Sequence, residues 1–475
     1  MAGIGEAPYV KPATPYSGFM RRRLRNGAQQ LYVPNSAAHL LVSAPTETGK
    51  TRRILAPAAV LWGGPAVVVS SKDDLMQHVM ERRYGPRALI DLRPVASPVY
   101  PDGVHSFSYD PTVTITTARE ALTVAETILQ MSTVGLGSGV DQVSDSGIWE
   151  SQAAGPLSAF LYAASTAAAQ KAYGPRASGL GMGWVLQAVD NINPDDDMNP
   201  GWMQAADRCE EYPVLATMLH RILDMDARQR DSVAITMRKA IMPWLRTALD
   251  DRSANPTFDL SFLDDPQATL FVLAPADGTV AGAAVTLLDS LVRRWREKTA
   301  GREQMHRLLM IVDELPNTAP LPTLRRIVGE GRGLGINLVA AVQASAQTVT
   351  VYGRDYAEEL RQTFPATLVM YGAHEQDLLT AAENWSPLTN RRTQSFGQNS
   401  GEKQLSSELG ATIRWQELLP ADVNHARLVI RGTPGVSVEI PDWSIVKALY
   451  DQAARSLIAQ SSGRGAMAAN KPAAV

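Results

Sequence analysis

Between residues 39 and 112 the chain alternates short apolar runs with stretches whose apolar positions recur every three or four residues. The runs at 40–43 (Leu-Leu-Val-Ser), 66–70 (Ala-Val-Val-Val-Ser) and 87–92 predict strands, and 51–61 and 72–84 predict helices. Strands that are apolar on both faces and separated by helices predict a parallel sheet covered on both sides. From about 113 to 256 the strand runs stop. Ala, Leu and Met instead recur at helical spacing over 118–131, 148–169, 182–188, 213–223 and 232–249. The first texture returns with strands at 269–274, 308–312, 336–342 and 367–371 and helices at 280–298, 321–331 and 356–362. The pattern therefore predicts an α/β fold with a mostly parallel sheet, interrupted by an inserted all-α domain. Residues 1–35 predict a flexible arm, the polar stretch 391–407 a long loop, and the small, polar 461–475 a disordered tail.

The first strand runs straight into Ala44-Pro45-Thr46-Glu47-Thr48-Gly49-Lys50-Thr51, and the next helix begins at the last of these residues. A strand, a tight loop ending in Gly-Lys-Thr and a helix is the layout of a phosphate-binding loop. Backbone N–H groups of such a loop and of the first helical turn converge on one concavity, where the helix dipole also favours an anion. The whole octapeptide is the candidate ATP site. Lys50 is expected to reach the β- and γ-phosphates, and the Thr51 hydroxyl to coordinate Mg²⁺. Ala44 stands where the usual pattern has Gly, which is free of strain only if its φ is negative. Glu47 brings negative charge near the anion.

The strand at 308–312 ends in Asp313-Glu314. Parallel strands put their C-terminal ends at the ligand-binding edge of the sheet. There Asp313 is expected to hold Mg²⁺ through water, and Glu314 to polarise the attacking water. The strand at 336–342 ends in Gln343, whose amide can hydrogen-bond both that water and a γ-phosphate oxygen. Arg332 lies in a Gly-flanked turn before this strand, a position from which ring ATPases reach a neighbouring subunit's γ-phosphate. Arg325 and Arg326 are its competitors.

Composition narrows the options. The chain has 475 residues, 45% of them hydrophobic, enough to bury at least one large core and to form two domains. A formal net charge of −3 excludes a polycation, so any nucleic-acid contact must be local or belong to an assembled ring. The single cysteine, Cys209, excludes an internal disulfide and a cysteine zinc cluster. The run Asn191-Ile192-Asn193-Pro194-Asp195-Asp196-Asp197-Met198-Asn199 lacks the Gly and closing Glu of a calcium loop and predicts a solvated turn. Arg21-Arg22-Arg23-Leu24-Arg25 is either a solvated charge run or an electrostatic contact for nucleic acid or acidic lipid. The first forty residues lack a secretory signal, and the apolar stretch 153–169 falls short of a spanning helix. The expectation is a soluble chain with no transmembrane segment of its own, cytoplasmic and peripheral to the inner face of the membrane through partners.

These residues carry a family resemblance. Ala38-His39-Leu40-Leu41 leading into the octapeptide, residues 67–72, and Ile311-Val312-Asp313-Glu314-Leu315-Pro316 with Leu321-Pro322 resemble the type IV secretion coupling proteins, the TraG/TraD-type conjugation ATPases. The similarity continues through Arg332-Gly333-Leu334-Gly335-Ile336, Val342-Gln343-Ala344-Ser345 and Arg414-Trp415-Gln416-Glu417-Leu418-Leu419-Pro420, and includes Ile148-Trp149-Glu150 with Ala153. It spans roughly 38 to 445. The chain departs from the family in reading Ser70-Ser71-Lys72-Asp73-Asp74 after the second strand, where the family has an apolar-Asp-Pro-Lys-Gly-Glu motif, and in lacking a pair of N-terminal membrane helices.

The resemblance implies a RecA-like nucleotide-binding domain over 36–113 and 257–460, with the all-α domain over 114–256. It implies a homo-hexameric ring in which ATP hydrolysis moves single-stranded DNA or protein toward a secretion channel, with relaxase, relaxosome or secreted proteins as cargo and channel components as partners. Carried over residue by residue, Lys50 and Thr51 become the phosphate and Mg²⁺ contacts, Asp313 and Glu314 the acid pair, Gln343 the γ-phosphate sensor and Arg332 a finger acting in trans. Two other readings stand beside it: an FtsK/HerA-like DNA pump, and a non-hydrolysing adaptor that recruits substrates.

Overall fold

Leu308-Leu309-Met310-Ile311-Val312 has no polar position and is buried along its whole length, which places it inside a sheet covered on both faces. The computed structural model describes residues 14–25, 27–95, 98–133, 145–249, 255–396 and 403–455. Numbered along the chain, the strands are β1 (Met20–Arg23), β2 (Gln29–Tyr32), β3 (His39–Ser43), β4 (Ala66–Ser70), β5 (Arg87–Asp91), β6 (His105–Ser106), β7 (Thr269–Leu273), β8 (Leu308–Val312), β9 (Ile336–Val342), β10 (Ala366–Met370), β11 (Leu388–Phe396), β12 (Lys403–Ala411), β13 (His425–Ile430) and β14 (Val436–Glu439). Ten of them form one sheet in the order β14-β13-β10-β3-β9-β8-β4-β7-β5-β6. From β10 to β6 every pairing is parallel, and β13 and β14 close one edge as an antiparallel hairpin. The expected α/β architecture with a mostly parallel sheet is thus the one that forms.

The period-two alternation of side chains splits each strand between two cores. Leu40, Val42, Leu309 and Ile311 pack with Ile54, Leu55, Leu75 and Met76 from the helices that follow β3 and β4. Leu41, Leu308, Met310 and Val312 pack on the opposite side, where the helix Ala281–Ala300 supplies Leu287, Leu288 and Leu291. That second core is continuous with the interior of seven helices lying between β6 and β7, from Ala118–Thr133 to Ala227–Ala248, and no strand occurs there among the described residues. Within it the Phe160 and Trp202 rings meet edge to face, their centroids 5.3 Å apart. The helix expected over 148–169 is two, Asp145–Ala163 and Thr166–Tyr173, because Ser165 adopts extended φ/ψ and its side chain accepts the N–H of Ala168 as an N-cap.

Two expectations from sequence change. Much of the segment read as a flexible arm is ordered against the sheet. Tyr16 and Phe19 are buried, Phe19 exchanges both backbone hydrogen bonds with Glu439 at 2.8 Å, and Arg21 Nη2 donates to Glu439 Oε2 at 2.8 Å. The free edge of β14 offers pairing groups that a sequence pattern cannot reveal. Arg22 binds the Gln30 side chain and lies over the Tyr32 ring, so part of the basic run is committed inside the chain.

The stretch 391–407, read as a loop, instead falls largely in β11 and β12, which pair antiparallel from Leu388↔Ala411 to Phe396↔Lys403. A ribbon joined to no larger sheet needs no apolar face, and its polar composition hid it. Residues 397–402 of that stretch, the first 13 residues and the predicted tail at 461–475 lie outside the described residues. No described helix is long and apolar enough to cross a membrane.

Candidate active site

Ala44 continues the β3–β9 ladder: its N–H donates to Val342 O at 3.0 Å and its side chain is buried. It does not have positive φ, so a Cβ is tolerated where the usual loop has Gly. The left-handed positions are Glu47 (φ 63°) and Gly49 (φ 80°). Glu47 there costs on the order of 1 kcal/mol relative to glycine. The Thr48 hydroxyl donates to Pro45 O at 2.7 Å and closes the turn, while Thr46 and Glu47 remain exposed. The helix opens on a π-turn, Thr51–Leu55, with Ala56 N–H reaching back to Thr51 O. Such turns concentrate at functional sites.

Sheet order brings the remaining parts together. β9 lies between β3 and β8, with Ser43 opposite Val342 and Val312 opposite Ala340. The ends of these three strands therefore open at one edge. Lys50 Nζ lies 3.1 Å from Asp313 Oδ1 and 3.2 Å from Glu314 Oε1. Gln343 Nε2 donates to the same Glu314 oxygen at 2.8 Å. Glu314 is itself left-handed (φ 52°, ψ 48°), which costs about 1–2 kcal/mol for a residue with a Cβ and aims its carboxylate back at the loop. Asp313 is fixed by its N–H to Val69 O at 2.9 Å and by the Thr318 hydroxyl on its carbonyl at 2.7 Å.

The two carboxylates differ in character. Burial pushes the Asp313 carboxyl above its usual range, and the Lys50 charge offsets this only in part. Burial also acts on Glu314, but the Lys50 charge and the Gln343 hydrogen bond outweigh it and hold that carboxyl below its usual range. Environments that separate two neighbouring acids assign them different tasks.

Lys50, Asp313, Glu314 and Gln343 thus meet, with Thr51 on the same loop. Arg332 does not join them. It is exposed near the C-terminal end of the helix Leu324–Leu334, ahead of β9, roughly 20 Å along that seven-residue strand from Gln343. Its carbonyl accepts a bond from Arg307 Nη2 at 3.2 Å. Arg325 is committed to Glu359, and Arg326 lies 3.9 Å from Asp289.

Three participants were not singled out from sequence. Gln347 brackets Gln343, accepting its N–H at 3.2 Å and donating to its side-chain oxygen at 3.4 Å. Its signal is a second amide four residues on, in the first turn of the helix Ala346–Tyr352 that follows the strand end. Glu375, buried after β10, accepts the Ser43 hydroxyl at 2.6 Å just ahead of the loop. Lys72, two residues past β4, bears on Glu314 through its charge.

The family model for type IV secretory system conjugative DNA transfer matches residues 7–408 of this chain. The unbound bacterial conjugative coupling protein TrwB (TrwBdeltaN70) is similar with a TM-score of 0.54 at 19% identity, covering 85% of this chain and 84% of that one. TrwB in complex with ADP and Mg²⁺ gives 0.54 at 18% identity, covering 85% and 86%. TrwB with the non-hydrolysable ATP analogue ADPNP gives 0.55 at 19% identity, covering 90% and 96%. No curated protein matches significantly. At such identities the structures establish a common fold, and the family follows from the model that spans most of the sequence. The chain belongs to the type IV secretory system conjugative DNA transfer family.

Proposed function

We propose that this chain is an ATP-driven coupling motor that hydrolyses ATP to move single-stranded DNA, or a protein such as a relaxase, into a type IV secretion or conjugation channel. The observation that carries this reading is the convergence of Lys50, Asp313, Glu314 and Gln343 from three adjacent strand ends, with Lys50 3.1 Å from Asp313 and 3.2 Å from Glu314, and Gln343 2.8 Å from Glu314.

The residues fit Mg²⁺. Asp313 Oδ1 is buried and accepts no well-aligned hydrogen bond. Among the described residues no cluster of three His, Cys, Asp or Glu side chains could hold a metal alone, which suits an ion bound by one carboxylate, one hydroxyl and nucleotide oxygens. Asp313 and Thr51 would hold it, and when bound it neutralises charge developing on the phosphates. The loop amides cradle the phosphate oxygens. Glu314, kept ionised, takes hydrogen-bond donation from the attacking water, and Gln343 fixes the carboxylate's rotamer. The non-hydrolysing alternative, prompted by Ala44 and Glu47, leaves this Glu314–Gln343 arrangement without a task.

Arg332, far from its own chain's loop, is assigned to the site of a neighbouring subunit, in keeping with a homo-hexamer. DNA would be held through its phosphates and read without sequence preference, since the net charge is −3 and any basic surface is local. Membrane attachment is assigned to secretion-channel partners at the cytoplasmic face. The test is ATP turnover with and without single-stranded DNA for the wild type and Lys50→Ala. Loss of the ammonium lowers kcat by about a hundredfold or more if the reading is right. Unchanged hydrolysis would sink it.

A further inference from the structure

Lys50 faces two incompatible demands. In the chain alone its ammonium sits between Asp313 and Glu314, at 3.1 and 3.2 Å. A nucleotide in the loop draws the same ammonium to its phosphates. Glu314 then loses its cation at the moment a polyanion arrives beside it, and the neutral Gln343 amide that stays on the carboxylate at 2.8 Å supplies no compensating charge.

The chain places another cation at this edge. β4 lies against β8 with Val69 opposite Val312, and Asp313 N–H extends that ladder onto Val69 O. The residues leaving β4 therefore run beside the acid pair. The second of them is Lys72. Its N–H donates to Ser70 Oγ at 3.3 Å, and its extended backbone (φ −130°) starts the helix Asp73–Met80. The side chain is exposed and makes no ion pair among the described residues. Of the two acids that follow Lys72, Asp73 holds Arg93, and Asp74 accepts the N–H of Leu75 at 2.8 Å. The charge of Lys72 already favours the ionised form of Glu314.

We propose that Lys72 takes over the Glu314 carboxylate when Lys50 moves to the phosphates, so that the water-polarising group stays in place through the catalytic cycle. This rests on the ATPase reading for its purpose. Lys72 is a positioning residue that acts through Glu314, and it has a consequence for binding that does not need turnover. A bound state in which Lys50 has left the acids is stabilised by Lys72 only while Glu314 carries charge.

The experiment is a double-mutant cycle on the full chain. It reads the affinity for a non-hydrolysable ATP analogue with Mg²⁺ in wild type, Lys72→Met, Glu314→Gln and the double variant. Lys72→Met should weaken binding about fivefold to tenfold in the wild-type background and less than about twofold beside Glu314→Gln, as expected for directly coupled groups. Lys72→Arg should restore binding and most of kcat. Equal weakening in both backgrounds would mean that Lys72 serves the phosphates or the fold directly, and would overturn the handover. So would no weakening, or a failure of Lys72→Arg to rescue. A wild type that binds the analogue but does not hydrolyse ATP removes the ATPase reading alone, and the cycle still decides the handover. A wild type that does not bind the analogue removes both.

Discussion

The Lys50 ammonium lies 3.2 Å from Glu314 Oε1 across 264 residues of sequence, and the same oxygen takes the Gln343 amide at 2.8 Å. On the proposed reading, the lysine assigned to the phosphates is thus paired with the acid assigned to the attacking water. Glu314→Gln should release it and remove a negative charge facing the γ-phosphate. We expect severalfold tighter binding of ATP, with kcat reduced by about a hundredfold or more because the group that polarises water is gone. Equilibrium binding and phosphate release measure the two effects, and a loss of affinity would contradict the arrangement.

Glu47 combines a left-handed backbone (φ 63°) with a charge beside the anion site. Glu47→Gly removes both, and Glu47→Ala removes only the charge. Both variants should bind ATP more tightly, but only the glycine variant should gain roughly 1 kcal/mol in denaturant unfolding. Equal stability for the two would argue against strain at this position.

Gln347 holds Gln343 through two hydrogen bonds, at 3.2 and 3.4 Å. Gln347→Ala should loosen the amide that orients Glu314 and lower kcat by about threefold to tenfold, with KM for ATP within twofold, in line with a modest net hydrogen-bond contribution. A larger change in KM than in kcat would place Gln347 in binding.

His39 is buried in β3, and neither ring nitrogen has a hydrogen-bond partner. Burial, aided by the nearby Arg307 charge, pushes its pKa down to about 4 from 6.5. A base with a depressed folded-state pKa is protonated first in the unfolded chain, so stability is full above pH 6.5 and falls as the pH drops toward 4. The shift corresponds to about 3 kcal/mol of lost stability at the acid end of that window. His39→Leu should flatten this part of the pH–stability curve in chemical denaturation, and an unaltered slope would refute the assignment.

Much of the architecture could be read along the chain because it is written in short-range patterns. The five apolar positions of 308–312, ending directly in Asp313-Glu314, favour a short buried strand, and Gly49-Lys50-Thr51 after 40–43 favours a loop turning into a helix. The basic run at 21–25 misled because Arg21 is held by Glu439, 418 residues away. The polar ribbon of β11 and β12 misled because backbone pairing, not side-chain periodicity, defines it.

By itself, then, the sequence determined the strands of the sheet, the Gly-Lys-Thr loop after β3, the acid pair after β8 and the strand-terminal Gln343, each from residues within a dozen positions of one another. Tertiary structure decided which strand ends are neighbours. Placing β9 between β3 and β8 puts Gln343 on Glu314, and setting β4 beyond β8 brings Lys72 to the same edge. It also leaves Arg332 at the far end of β9 and shows that Ala44 needs no glycine while Glu47 carries the strain. Strand order in a parallel sheet is set by long crossovers and by how two apolar faces are covered, and no local pattern records it.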